Sequence, residues 1–181
     1  EAVRFIGENL DKPFFLYMSH YAVHAPVQAK PEDIATYEGR EPAAKNATYA
    51  AMVGSVDTAL GRILDALDDG GIADNTLVIF TSDNGGVVSR SHNEPLRAGK
   101  GWPYEGGLRT PLVVRWPGEI AAGSTADTPV TSVDFFPTIA AAAGMDVPSR
   151  LPIDGLDLTP VLTGSGHLDR DALFWHFPHY R

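Results

Sequence analysis

Three clusters of residues have types and spacing that can do chemistry. The run Thr76-Leu77-Val78-Ile79-Phe80-Thr81-Ser82 is apolar and stops on Asp83-Asn84-Gly85-Gly86. A carboxylate beside an amide carbonyl is a hard, oxygen-rich pair that suits Ca²⁺ or Mg²⁺, and glycines let the backbone turn sharply toward an ion or an anion. The same four residues also make an ordinary turn. Lys100 lies between Gly99 and Gly101, where an anion can reach its ammonium group; a solvated surface lysine is the plain alternative. His20 and His24 lie in Ser19-His20-Tyr21-Ala22-Val23-His24-Ala25-Pro26, directly after the apolar run Pro13–Met18. Imidazoles in such a loop act as proton carriers near neutral pH or as structural hydrogen-bonders.

Other polar residues carry weaker signals. Glu105 and Arg109 read as structural, a buried pair or loop anchors. Asp57 falls between Val53 and Leu60 in a helical pattern and is either a buried carboxylate or part of a solvated face. Asp134 reads as a first-turn helix carboxylate favoured by the helix dipole. His92 and Asn93, just before Glu94-Pro95-Leu96-Arg97, are placed to line a substrate entrance, although loop polarity explains them equally well.

These residues need elements to position them. Residues 2–10 pattern as the end of a helix with Val3, Ile6 and Leu10 on one side. The continuous apolar run at 13–18 is that of a buried parallel strand. Residues 27–42, with two prolines and several charges, read as loop. Residues 43–69 give the clearest helix, with Tyr49, Met52, Val53, Val56, Leu60, Ile63, Leu64 and Leu67 at three- and four-residue spacing, stopped by Gly70-Gly71. A strand follows at 76–82, then a Gly-rich irregular stretch at 83–110 whose length points to function or to disorder. A strand at 112–116, a helix capped by Ser132 and ending near Ala143-Gly144, a short helix near 158–163 and a strand near 172–177 complete the pattern. Strands alternating with helices predict an α/β fold with a mostly parallel central sheet flanked by helices.

Composition sets outer bounds. The chain has 181 residues, 44% hydrophobic and 20% charged, which suits a globular domain or part of one. With 14 Lys+Arg against 23 Asp+Glu the formal net charge is -9, which argues against a nucleic-acid surface but leaves room for a local cationic pocket. No apolar run reaches membrane-spanning length. The sequence contains no cysteine, so disulfides, thiolate metal sites and a Cys nucleophile are excluded within it. It begins at Glu1 without a basic, apolar leader, and both ends read as cut.

Taken together, Pro13 to Pro26, Thr81 to Gly86, Gly99 to Pro111 with the strand to Trp116-Pro117-Gly118, and Asp134-Phe135-Phe136-Pro137-Thr138 resemble the sulfatase family of the alkaline phosphatase superfamily. The resemblance runs from about residue 13 to the end. It implies an incomplete alkaline-phosphatase-like fold: residues 1–181 would be the C-terminal portion of the catalytic domain, running into the start of a smaller subdomain near 165–181. It implies that Asp83 and Asn84 are metal ligands, for Ca²⁺ ahead of Mg²⁺, that Lys100 contacts the substrate sulfate, and that His24, standing directly before Ala25-Pro26, contacts the sulfate and assists the leaving oxygen. His92 and Asn93 join the expected substrate-binding set. The implied partner is a sulfated small molecule or glycan, with no nucleic acid and no membrane, and the implied compartment is periplasmic or secreted. The residue types suit the chemistry: cleaving a sulfate ester requires stabilising negative charge on oxygen, which a divalent ion, an ammonium and an imidazole all do.

Half of the implied site is missing from these residues. The family's nucleophile lies in a C-x-P-x-R or S-x-P-x-R motif whose Cys or Ser becomes formylglycine. The nearest match, Asp146-Val147-Pro148-Ser149-Arg150, has Asp at the key position and falls after the lysine segment, so it is a decoy. No paired N-terminal aspartates complete the metal shell. The expectation is a sulfuric ester hydrolase whose nucleophile lies outside these residues, inactive as an isolated chain. Two alternatives stand beside it: a phosphate or phosphonate ester hydrolase of the same superfamily, and a noncatalytic sulfated-glycan binder that keeps Lys100 and His24.

Overall fold

The computed structural model describes residues 1–40 and 46–178. The order is α1 (Ala2–Gly7), α2 (Pro31–Glu38), α3 (Ala47–Asp69), a 3₁₀ turn (Ala73–Asn75), β1 (Val78–Thr81), α4 (Glu105–Leu108), β2 (Leu112–Arg115), a second 3₁₀ turn (Ser132–Asp134), α5 (Phe135–Ala142) and α6 (Thr159–Leu162). No helix among the described residues is long and apolar enough to cross a membrane.

α3 is the backbone of the arrangement. Asn46 caps it, its side-chain oxygen accepting from Tyr49 N at 2.9 Å, which satisfies one of the amides left open at a helix start. The expected start at 43 lies outside the described residues. Both α1 and α2 pack on α3. The core gathers Ile6, Leu67 and Ala73, with Phe14, Leu16, Ile63, Ala66, Ile72 and Val78 packed around them. Of the three residues expected on one side of α1, only Ile6 is buried; Val3 and Leu10 are 38% and 41% exposed.

Two stretches differ from the sequence pattern. Residues 31–38, expected as loop, form α2. Lys30 is extended, Pro31 takes the first turn and Glu32 and Asp33 follow. A proline there loses no hydrogen bond, and the carboxylates face the positive end of the helix dipole. The runs at 13–18 and 172–177, expected as strands, are not strands of the sheet among the described residues. Residues 14–17 nevertheless keep a two-residue alternation, with Phe14 and Leu16 packed inward and Phe15 and Tyr17 exposed at 66% and 80%.

The sheet within the described residues is one antiparallel pair, β1 with β2, in the register Val78↔Arg115 to Thr81↔Leu112. The mostly parallel pairing expected from the α/β pattern is not formed by these two strands. Their antiparallel register has a direct consequence for the long stretch between them: it leaves and re-enters the sheet at the same end. Thr81 Oγ1 closes its feet by donating to Pro111 O at 3.0 Å. Arg115 then anchors β2 to the end of α3 through Asp68, Nη2 to Oδ1 at 3.1 Å.

At the far end, Thr131 rather than Ser132 provides the helix cap, in a reciprocal box with Asp134. Gly144 ends the helix region at φ +67°, a left-handed conformation that glycine adopts without steric cost.

Candidate functional site

The expected metal pair sits where β1 gives way to the closed loop. Asp83 is exposed and Asn84 half-buried. Asn84 Nδ2 donates to Asp83 Oδ2, which leaves Asp83 Oδ1 and Asn84 Oδ1 as oxygens with no hydrogen-bond donor among the described residues. These are hard donors of the kind Ca²⁺ prefers, but they number two where that ion takes roughly six to eight. No group of three or more His, Cys, Asp or Glu side chains that could hold a metal occurs among the described residues. The pair therefore fits such an ion as part of a shell, not as a whole one.

The loop is folded by backbone contacts that only glycine permits. Gly85 N donates to Gly107 O at 3.0 Å and Gly106 N to Arg97 O at 2.8 Å. A Cβ on Gly85 would overlap the Gly106 carbonyl, and one on Gly106 would overlap the carbonyls of Ala98 and Arg97. Ala98 itself has φ +62°, an uncommon conformation for a residue with a side chain and one that marks strain held by its surroundings.

Lys100 is placed by this scaffold. Its backbone N donates to Gly86 O at 3.1 Å. The same carbonyl accepts Asn93 Nδ2 at 2.9 Å, and Asn93 Nδ2 also reaches Ala98 O at 3.0 Å. Thus Gly86, two residues after Asn84, is the shared anchor for the Lys100 turn and for Asn93. The Lys100 side chain is exposed. The turn is braced on its far side, where the Arg97 guanidinium lies 3.7 Å from the Tyr104 ring centroid and Trp102 stacks on Tyr104 at 6.5 Å.

His24 and His20 are both exposed. His24 Nδ1 lies 2.9 Å from Ala25 O and its ring meets Tyr21 edge-on at 5.6 Å. Donation of Nδ1–H to that carbonyl leaves Nε2 as the nitrogen open to a substrate. The segment is tied to α3 by Gln28 N donating to Met52 Sδ at 3.3 Å. No hydrogen bond, ion pair or ring contact joins His24 to Lys100, Asp83 or Asn84 among the described residues. The structure brings together Asp83, Asn84, Asn93 and Lys100 on one closed loop; His24 stands on a separate one, and His92 is exposed beside Asn93.

Two readings change. Glu105 and Arg109 pair at 3.6 Å but with side chains 66% and 70% exposed, so they are a surface pair rather than a buried one. Asp134 is more than a first-turn carboxylate. It has no solvent exposure and accepts from Thr131 N at 2.8 Å, Leu156 N at 2.9 Å and Arg170 at 2.8 and 3.0 Å. Asp57 is exposed, on the solvated face of α3. Sequence reasoning missed the Gly86 carbonyl, because a backbone acceptor has no residue signature, and it missed Tyr37 and Arg90, which share an open groove with Tyr49 and His92.

Comparison with known proteins bears on this geometry. A family model described as Sulfatase matches residues 1–145. A sulfatase of Formosa agariphila is 41% identical over 186 aligned residues, covering 94% of this chain and 34% of the relative. Human arylsulfatase A is 40% identical, covering 96% and 33% respectively. The chain thus spans about a third of the length of these curated relatives. Among solved structures, Ps i-CgsB in complex with k-i-k-neocarrahexaose superposes with a TM-score of 0.85 at 40% identity, over 92% of this chain and 37% of that one.

Proposed function

The chain belongs to the sulfatase family, and we propose that the intact protein hydrolyses a sulfate ester with the closed loop between β1 and β2 as one wall of its pocket. The observation that carries this reading is the Gly86 carbonyl, which accepts from Lys100 N at 3.1 Å two residues beyond the Asp83-Asn84 pair. This bond ties the Lys100 backbone to the loop that carries two hard oxygen donors, which supports the reading.

The roles follow from the residue types. The Lys100 ammonium neutralises a sulfate oxygen, and its exposure lets an incoming ester reach it. His24, with Nδ1 engaged at Ala25, presents Nε2 to give a proton to the departing oxygen. Asp83 and Asn84 would hold Ca²⁺, or less favourably Mg²⁺, together with ligands from elsewhere in the protein. Such an ion supplies positive charge where the sulfate oxygens gain negative charge. The attacking group, by family likeness a formylglycine, is not among these 181 residues. The substrate class that fits is a sulfated glycan or a smaller sulfate ester; Ps i-CgsB, solved with a neocarrahexaose, supports the glycan.

The test is turnover by the intact protein of matched aryl sulfate and aryl phosphate esters. Faster sulfate turnover is expected. Preferential phosphate or phosphonate turnover would replace this reading with the other hydrolase, and saturable sulfated-glycan binding without turnover would replace it with the binder.

A further inference from the structure

We propose that Asn93 is a positioning residue for the Lys100 turn, not a group that touches substrate. The proposal rests on the sulfate-ester reading above and adds to it a residue that acts through Lys100.

The amide of Asn93 is turned into the loop. Its Nδ2 donates to Gly86 O at 2.9 Å and to Ala98 O at 3.0 Å. An amide nitrogen has two hydrogens to give, so both are spent on backbone carbonyls. Two carbonyl oxygens at one end of the amide also fix which end is nitrogen. The other end, Oδ1, lies 2.8 Å from where a Gly86 Cβ would stand, and Nδ2 lies 2.6 Å from where a Gly99 Cβ would stand. Glycine at both positions leaves the space that the amide fills. A substrate oxygen finds no spare donor on this side chain.

The two carbonyls frame Lys100. Gly86 O also accepts from Lys100 N at 3.1 Å, and Ala98 lies two residues before Lys100. One amide thus joins the carbonyl that holds the Lys100 backbone to the residue that leads into it. Ala98 has φ +62°, a conformation that persists only where its surroundings hold it, and the Asn93 donation to its carbonyl is one such hold. The Lys100 side chain is exposed, with no hydrogen bond or ion pair among the described residues. The backbone therefore sets the point from which the ammonium reaches out, and Asn93 holds that backbone.

The test is a double-mutant cycle on sulfate-ester turnover by the intact protein, with amide hydrogen exchange read at Lys100. Asn93→Ala, and Asn93→Leu, which keeps the bulk without the donors, should each lower kcat/KM about tenfold, by the same factor for esters that differ only in the alcohol. In a Lys100→Ala background the same substitutions should change kcat/KM by less than about twofold. Exchange at the Lys100 amide should quicken about tenfold or more while α3 keeps its protection. Equal losses in the two backgrounds, or a loss that varies with the alcohol, would show that Asn93 does not act through Lys100 and overturn the proposal. Faster exchange throughout α3 would make it a residue of the general fold and overturn it as well. Wild-type protein that turns over no sulfate ester overturns the ester reading; the positioning role is then decided by exchange alone, kept if the Lys100 amide quickens and overturned if it does not.

Discussion

Asp134 shows at the scale of one residue how a buried charge is kept. Burial alone would raise its carboxyl pKa, but the Arg170 guanidinium and the amides of Leu156 and Thr131 outweigh it and hold the group below the usual carboxylate range. A depressed folded pKa means that the carboxylate stabilises the fold fully above the unfolded value of about 3.9 and stops doing so as pH falls through the lower folded value. Denaturant melts should therefore show stability level at neutral pH and falling below about pH 4. Asp134→Ala should cost about 3–5 kcal/mol at pH 7, because it strands a largely buried guanidinium, and should flatten that acid limb. For catalysis, Lys100→Ala in the intact protein should lower kcat/KM by about 10²–10³, the usual cost of deleting one donor to a developing oxyanion, with folding unchanged because the side chain is exposed. Lys100, Asp83 and Asn84 stood out in the sequence as candidates because charge, amide and glycine punctuate apolar runs, while their roles come from the family resemblance. The capture of Arg170 by Asp134 was not, since nothing local pairs residues so far apart.

Elements were readable wherever a period was long enough to see. α3 emerged from its apolar spacing, and β1 and β2 from short apolar runs bounded by turn residues. α2 was hidden because a proline and two acids look like loop until Pro31 is recognised as a first-turn residue. The direction of the β1–β2 pair was hidden as well, since pairing sense depends on where a 30-residue excursion returns, as the Thr81–Pro111 bond records. Two outcomes belong here. Asn46→Ala should destabilise the fold by about 1 kcal/mol through the lost cap at Tyr49, read as a shift of the urea midpoint at constant slope. Gly85→Ala should cost far more activity than stability: the overlap with Gly106 forces the loop open where Asn84 and Lys100 are set, while the core of Ile6, Leu67 and Ala73 lies elsewhere.

For the molecule as a whole, the apolar surface matters. Phe15, Tyr17, Val113 and Phe174 are 66%, 80%, 61% and 92% exposed, large apolar side chains open to solvent. The isolated 181-residue chain should bind an apolar dye and self-associate in sedimentation. It should not turn over an aryl sulfate, and added calcium should leave its melting temperature unchanged, since two ligands bind too weakly to shift the folding equilibrium. A last consequence concerns how such a protein changes over generations. Because one carbonyl, that of Gly86, receives both Asn93 and Lys100, residues 87–92 form a detour whose two ends are stapled together. On the proposed sulfate-ester function, mutations within the detour redraw the wall a substrate meets while the Lys100 backbone stays tied to Gly86, so preference drifts in evolution without the reaction being lost.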